Sequence, residues 1–325
     1  MAVVKAAQAS LADPWLFGCG RFALAALAFS PALPALARRP ALAAASAELG
    51  LLAAAGYAAQ AWGLVHTTAS HTAFISAFTV VLVPLLAATG ALGPAAPVSR
   101  KTWVAAAIAF AGIAVLEHGG VGSEAGAAAD VAAGALLWGW APEGLAGDAA
   151  SLASAALFAA QLVRTERHAA TLTPTATSAD ATSAASGVSP GAALVAGQLA
   201  TLAAVFAALA AASSATSSPA TSAALDVASL PWAAWLFTGL VSTAGTLWLE
   251  VEALRDVSAP DAALVYATEP VWGAAVAAAL LGERWAGATW AGAAMIVGGA
   301  LFGQLPGGEQ SETATADVAA AEHKR

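Results

Sequence analysis

The chain has 325 residues, of which 59% are hydrophobic and only 10% charged, and its formal net charge is -8. Soluble domains carry about 25% charged residues, so this composition excludes an ordinary soluble protein and indicates a membrane protein. The single cysteine, Cys19, excludes an internal disulfide framework and a multi-cysteine metal site.

Apolar runs recur along the chain with the length of about 20 residues that is needed to cross a hydrocarbon core of about 30 Å. We predict nine membrane spans, at residues 14–36, 49–66, 70–91, 102–118, 148–163, 191–212, 231–254, 261–281 and 288–305. Stretches biased toward Ala, Ser, Thr and Gly lie between them and are typical of flexible loops; these are residues 118–130, 171–190 and 211–226.

The distribution of basic residues tests the number of spans, because short cytoplasmic loops collect Lys and Arg. With nine spans, nine basic residues fall on one side of the membrane and three on the other, the three being Lys5, Arg21 and Arg284. If the ambiguous stretch at 131–140 also crossed, every later loop would change sides and this bias would disappear. We therefore leave it out, and the bias puts the C-terminus on the Arg-rich, cytoplasm-like side.

An internal repeat divides the chain. TWVAAAIAFAG (102–112) matches TWAGAAMIVGG (289–299), and TASHTAFISAFT (68–79) aligns with SAPDAALVYATE (258–269) at an offset of 190 residues. If the repeat unit is five helices, the second unit is complete, whereas the first shows four and its missing helix would precede residue 14. Units with an odd number of helices are inverted in the membrane, an arrangement typical of secondary transporters.

Four stretches carry a resemblance to a known family: AVVKAAQASLADPWLFGCGRFALAALAFSP, ASAALFAAQLVRTER, TLWLEVEALRDVSAPDAALVYATEPVWGAAVAAALLGERW and TWAGAAMIVGGALFGQL. With them the chain resembles EamA-type carriers of the drug/metabolite transporter (DMT) superfamily over most of residues 2–305. The most specific part is the EP-W-GA…GER pattern, and together with VRTER it is more similar to plant, algal and cyanobacterial members than to general bacterial ones.

The resemblance implies an all-α fold, a polytopic transmembrane helix bundle of two inverted five-helix repeats. Ten helices are expected and nine are visible, so the first helix is expected to be truncated, or the product is a nine-helix variant. The first repeat would occupy residues 1–118 and the second residues 148–305. A low-complexity linker would lie at 119–147, and a disordered acidic tail at 306–325.

One apolar run carries a glutamate followed by a proline, Glu269-Pro270, near mid-depth of the span 261–281. A buried ionised carboxylate is costly and a mid-helix proline removes a backbone hydrogen bond, so the pair indicates a functional site. Tyr266 and Gly273 lie three residues before and four after Glu269, on the same helix face. We predict a cavity that binds substrate or a proton; the alternative is a neutral carboxyl that fixes helix packing.

The repeat alignment adds further candidates from the first unit. It places Ser76 opposite Tyr266 and Thr79 opposite Glu269, so both units offer polar side chains to a common centre. Trp272 could stack on a substrate, although tryptophan in membrane helices is more often an interfacial anchor. With Pro270, these residues form the predicted substrate-binding set.

Two more candidates come from the Arg-rich end of the span 231–254. Glu250 and Glu252 lie two positions apart and therefore on different faces, and either could meet Arg255 or a lipid headgroup. The alignment sets Gln60 against Glu250, which makes Gln60 and Glu252 further candidates for contact with substrate.

The sequence also excludes several activities. No lysine follows a glycine as a phosphate-binding loop requires, so this chain does not hydrolyse ATP. No Cys/His cluster offers a metal site, and no cofactor is expected. Apart from Arg21, which we predict near a helix end, no Lys or Arg lies mid-membrane, so a phosphate-rich substrate is not favoured.

We predict a multi-pass secondary transporter, not an enzyme, that moves an amino acid-, nucleoside- or drug-like metabolite by alternating access, with proton coupling as the candidate energy source. The alternative is a non-transporting or truncated membrane scaffold. A membrane enzyme would need paired acids at one interface, and Glu250 and Glu252 diverge. Expected partners are the small-molecule substrate and the lipid bilayer, without nucleic acid; a homodimer is left open. A plastid membrane is implied by the resemblance alone.

Overall fold

The computed structural model describes residues 14–67, 69–120, 145–172, 188–216, 231–281 and 287–305. All regular structure in these ranges is helical, which confirms the all-α fold class. The α-helices are α1 Pro14–Phe29, α2 Pro40–His66, α3 Ala69–Ser76, α4 Thr79–Thr89, α5 Arg100–Gly120, α6 Leu145–Ala170, α7 Pro190–Thr216, α8 Trp232–Leu236, α9 Thr246–Ala253, α10 Ala259–Tyr266, α11 Glu269–Leu281 and α12 Gly287–Gln304. A 3₁₀ segment, Ser30–Arg38, follows α1, and a π-helix, Phe237–Gly245, joins α8 to α9.

Joined end to end, these described elements form nine rods at the positions of the nine predicted spans. Five of the rods are long and apolar enough to cross a membrane by length and composition: Trp15–Arg38, Pro40–His66, Thr72–Thr89, Ala146–Ala170 and Pro190–Ala215. The chain is therefore a polytopic helical bundle. The predicted start of the second span is wrong, since α2 already begins at Pro40, where a proline in the first helical turn is favourable.

The broken helices support the internal repeat. A two-residue turn at 77–78 separates α3 from α4, and a second turn at 267–268 separates α10 from α11. The two turns are 190 residues apart, which is the offset of the sequence alignment. The predicted continuous span 261–281 is therefore two helices. Pro270 is not a mid-helix residue but the second residue of α11, where its missing N–H costs no intrahelical hydrogen bond.

Helices α5 and α12, which carry the other repeated sequence, pack against each other through glycines. A Cβ added to Gly112 would meet the backbone N of Ile296 at 2.8 Å and the backbone O of Gly292 at 2.9 Å. Reciprocally, a Cβ added to Gly299 would meet the backbone O of Ala105 and the backbone N of Ala109, each at 3.0 Å. One turn after Gly299, Gly303 faces Leu264 and Ala105, so this side of α12 also packs closely within the bundle.

The two sets of contacts are related by a pseudo-two-fold axis. Gly112 and Gly299 are equivalent at the 187-residue offset of their aligned sequences, and so are Ala105 and Gly292. The helices are antiparallel, since Lys101 at the start of α5 donates to the carbonyl of Leu305, while Gly292 lies against Leu116 near the other end of α5. Antiparallel packing of equivalent helices is what an inverted repeat requires.

The largest apolar core lies between α1, α2, α7 and the rod that ends in α9. Its buried members include Phe22, Leu49, Leu199 and Leu247. A second core joins α5 to α10 and α12, and a third joins α4 to α6 and α10. The polar residues described below lie where these packed groups meet.

Several predictions fall outside the described residues. They are the three low-complexity loops in large part, the ambiguous stretch at 131–140, the acidic tail at 306–325 and Lys5 and Arg284 of the charge count. The domain boundaries also remain predictions.

Candidate functional site

A buried arginine lies inside the bundle, in the middle of α1. Arg21 is only 7% exposed, and its Nε donates a 2.7 Å hydrogen bond to the hydroxyl of Thr243 in the π-helix. The prediction that Arg21 lies near a helix end is therefore wrong. Because α1 starts at Pro14, Arg21 is two turns inside the helix and within the packed core.

Close packing of α1 on the π-helix fixes this arginine. A Cβ added to Gly239 would meet the carbonyl O of Arg21 at 2.7 Å, so only glycine permits this approach. One turn from Arg21 along α1, the carbonyl of Phe17 accepts a 3.1 Å hydrogen bond from Nε1 of Trp235. π-helical segments frequently mark functional sites, and this one supplies the hydroxyl that holds Arg21.

A buried carboxylate lies on the continuation of the same rod. Glu250 is 8% exposed, and its two oxygens accept separate hydrogen bonds, at 2.9 Å from Nε2 of Gln161 and at 3.2 Å from the hydroxyl of Tyr266. Gln161 in α6 is itself buried and donates also to Thr165. The side chain of Glu250 turns into the bundle, so Glu252 is the member of the pair that meets Arg255.

Tyr57 in α2 connects the buried arginine to the buried glutamate. Its ring centre lies 5.0 Å from the guanidinium carbon of Arg21, and Glu250 is near enough to contribute to its electrostatic environment. The chain has two tyrosines in all, and Tyr57 and Tyr266 both belong to this group. We call Arg21, Tyr57, Gln161, Glu250 and Tyr266 the central polar cluster.

The predicted Glu269-Pro270 pair lies at the break between α10 and α11. Glu269 is exposed on the described part of the chain and is the first residue of α11. Trp272 is 70% exposed, and nothing lies within 4 Å of a Cβ added to Gly273. This face of α11 is therefore open in the described structure.

The candidates from the first repeat lie in different surroundings. The hydroxyl of Ser76 donates to the carbonyl of Thr72 in its own helix at 2.7 Å. The hydroxyl of Thr79 faces the carbonyl of Ala155 in α6, at 3.5 Å. Gln60 is half-buried in α2. Of the predicted substrate-binding residues, Tyr266 is the one whose hydrogen bond to Glu250 joins it to the central polar cluster.

Glu252 forms an ion pair with Arg255, one of the two partners considered from the sequence. Its carboxylate accepts from Nη1 of Arg255 at 2.9 Å, and both side chains are 30% exposed. The pair lies at the Arg-rich end of the bundle, where a solvated ion pair contributes little to stability.

A second ionic group joins α2 to α6 at the Arg-rich end of the bundle. Arg164 donates to both carboxylate oxygens of Glu48, in one case at 2.7 Å, and Nε2 of His168 lies 3.1 Å from the same carboxylate. Arg164 and Arg167 also donate to the carbonyl of Leu92 in the connection from α4 to α5, at 3.0 and 2.9 Å. These contacts tie three parts of the bundle together at one end.

Sequence reasoning missed three members of the central polar cluster, Arg21, Tyr57 and Gln161. Arg21 is the only charged residue of α1, and an ionisable residue inside an apolar membrane helix marks a functional position. Tyr57 and Gln161 lie in apolar stretches of α2 and α6, where no local motif singles them out.

The fold and this buried polar group define a polytopic membrane protein with an interior site. Residues 182–303 match the model of the EamA-like transporter family, which is part of the DMT superfamily. Over these residues the chain is similar to the EamA-like transporter family, whose members are transporters rather than enzymes. The match confirms the predicted resemblance for this part of the chain.

Solved structures give the same fold over almost the whole chain. One of them, titled "Crystal structure of protein", aligns with 92% of this chain and 92% of its own length at a TM-score of 0.65. The sequence identity is 18%, so the likeness shows the fold alone. The comparison with curated proteins gives no match.

Proposed function

We propose that the chain is a secondary transporter of small organic metabolites and that the central polar cluster binds the transported species. The observation that carries the proposal is Glu250, a buried carboxylate held by Gln161 and Tyr266 in the middle of an apolar helical bundle. A charged group so placed is costly, and such groups mark substrate or proton pathways in membrane proteins.

The hydrogen bonds of Glu250 are suited to a carboxylate that binds and releases a proton or another cation. Both donors stabilise the ionised carboxylate, and no Lys or Arg forms an ion pair with it within the described ranges. A proton, or an amino group of the substrate, would supply the missing positive charge. Proton binding would then neutralise the site before the helices rearrange, which is the simplest form of proton coupling.

Alternating access requires that one end of the bundle opens while the other closes. We assign the closed contact at the Arg-rich end to Glu48, Arg164 and His168, which join α2 to α6. The breaks inside the α3–α4 and α10–α11 rods allow the two halves of each rod to tilt separately. The antiparallel α5–α12 contact would serve as the fixed part, and these relations support two inverted repeats at 1–118 and 148–305.

Uptake by proteoliposomes tests the proposal. The purified chain would be offered a mixed metabolite pool, with and without a proton gradient, and the trapped compounds identified by mass spectrometry. We expect one compound class to accumulate, and to do so only with the gradient. No accumulation by inserted, monodisperse protein would contradict the proposal and favour a non-transporting membrane scaffold.

Other attributes remain predictions that separate measurements would test. A homodimer would double the mass of the detergent-solubilised particle in mass photometry. A plastid membrane, which rests on the sequence resemblance, would be tested by imaging the tagged protein in a photosynthetic cell.

A further inference from the structure

We propose that Arg21 is an anion-binding subsite that holds a carboxylate of the transported metabolite, with Thr243 as its positioning residue. The inference rests on the proposed transport function and adds a chemical class of substrate to it. It concerns a residue that the sequence patterns did not single out, and it depends on the placement of one guanidinium group.

Thr243 fixes the direction of the guanidinium group. Its hydroxyl donates its one proton to the carbonyl of Thr238 at 2.7 Å, five residues earlier in the π-helix. The same oxygen must therefore accept the Nε–H of Arg21, which lies 2.7 Å away. With Nε held, the two terminal nitrogens of Arg21 point away from the π-helix as a planar fork.

The described residues do not supply hydrogen-bond acceptors for all the N–H groups of this guanidinium. A guanidinium has five N–H donors, and within the described residues Thr243 takes one of them while Tyr57 is close enough to share another. No described carboxylate forms an ion pair with Arg21. A buried charge normally has a partner of opposite sign, because an unpaired one costs several kcal/mol.

The shape and charge of the site favour a carboxylate as that partner. A planar fork matches the two oxygens of a carboxylate through paired N–H···O bonds. One guanidinium neutralises one negative charge, whereas a phosphate monoester carries close to two at neutral pH, and no second basic residue of the described chain joins the cluster. The rings of Phe22 and Tyr57, with centres 5.2 and 5.0 Å from the guanidinium carbon, exclude water from one side.

Tyr57 packs its ring against the guanidinium group of Arg21, and Glu250 belongs to the same central polar cluster. A substrate with a carboxylate toward Arg21 and a donor or cation toward Glu250 would match the two ends of the cluster. The rival explanation is that Arg21 acts only as a fixed counter-charge to Glu250 and stabilises the fold.

Matched acids and amides distinguish the two explanations. Proteoliposomes with the parent protein, Arg21→Gln, Arg21→Lys and Thr243→Val would be offered a mixture of metabolite carboxylates and an equimolar mixture of their primary amides. Arg38→Gln is the matched control, since Arg38 is exposed at the end of the 3₁₀ segment. The same two mixtures would be tested as stabilising ligands in thermal unfolding of the detergent-solubilised proteins.

We expect the parent protein and Arg38→Gln to take up carboxylates at least about tenfold faster than amides, and to be stabilised by the carboxylates alone. Arg21→Gln should lose this preference, because a charge-assisted pair is worth about 1.5–3 kcal/mol, or roughly ten- to 150-fold. Arg21→Lys and Thr243→Val should keep part of it.

Two results would overturn the inference. One is equal uptake of acids and amides by the parent protein; the other is an unchanged preference for acids in folded Arg21→Gln. If no variant transports anything, the proposed function fails, and the thermal unfolding data then decide about the subsite. Stabilisation of the parent protein by carboxylates, absent in Arg21→Gln, would still support it, and no stabilisation of the parent protein would overturn it.

Discussion

Replacing the glycines between α5 and α12 by alanine should lower stability, and the interatomic distances indicate by how much. Alanine at Gly292 would bring its Cβ to 2.5 Å from the backbone N of Leu116 and 2.7 Å from the O of Gly112, whereas at Gly299 the nearest atoms lie at 3.0 Å. Since these neighbours are backbone atoms, no side-chain rotation relieves the clash. The two helices would have to separate by roughly 1 Å, and carbon atoms attract best at about 3.5–4.0 Å.

The expected cost follows from this geometry. Overpacking of a tight contact costs about 1–3 kcal/mol, while replacing glycine by alanine inside a helix gains about 1 kcal/mol. We therefore expect a net loss of up to about 2 kcal/mol for Gly292→Ala and Gly112→Ala, and a smaller loss for Gly299→Ala. Gly298→Ala is the matched control, because nothing lies within 4 Å of its added Cβ.

Thermal unfolding of the four variants in detergent, at equal protein concentration, would measure the order of their stabilities. Gly298→Ala should unfold slightly above the parent protein, because it gains helix propensity without a clash, with Gly299→Ala below Gly298→Ala and Gly292→Ala lowest. If Gly112→Ala and Gly292→Ala are as stable as Gly298→Ala, then α5 and α12 do not pack through these glycines, and the structural argument for an inverted repeat is wrong.

Three further variants test separate parts of the account. Tyr266→Phe removes one hydrogen bond to Glu250, so we expect a loss of about 1 kcal/mol in unfolding free energy together with weaker gradient-driven uptake; unchanged uptake would place Tyr266 outside the site. Glu269→Gln should reduce coupled transport while membrane insertion stays intact, and parent-like transport would leave Glu269 a packing residue. Arg164→Gln breaks the half-exposed pair with Glu48, so stability should fall by less than about 1 kcal/mol. Hydrogen–deuterium exchange should then accelerate around Glu48 and stay constant at the other end of α6; uniform acceleration would contradict a local closing contact.

Much of the fold could be predicted from the sequence because membrane spans have a strong compositional signal. The nine predicted spans coincide with nine helical rods, and the 190-residue offset found by aligning 68–79 with 258–269 recurs in the two helix breaks. Helix ends were less predictable. The start of α2 at Pro40 was missed because alanine-rich flanks extend a helix without adding much hydropathy.

The site was harder to predict because its residues come from five separate rods. The pattern around Glu269 stood out since the glutamate and proline are adjacent, whereas Arg21, Tyr57 and Gln161 are far apart in sequence and meet only through packing. The positions of Glu250 and Glu252 in the sequence did not show which of the two side chains belongs to the site. Which of the two turns inward depends on the contacts with α6 and α10, and those contacts leave no local pattern.

The most direct test of the central claim is gradient-driven uptake by Glu250→Gln in proteoliposomes. Glutamine keeps the shape and can still hydrogen-bond to Gln161 and Tyr266, but it cannot bind or release a proton. Asp256→Asn is the control, because Asp256 is an exposed carboxylate beyond the end of α9. We expect Glu250→Gln to fold, to insert and to lose uptake driven by the proton gradient, while Asp256→Asn keeps it. Parent-like uptake by Glu250→Gln would contradict the assignment of the central polar cluster as the transport site.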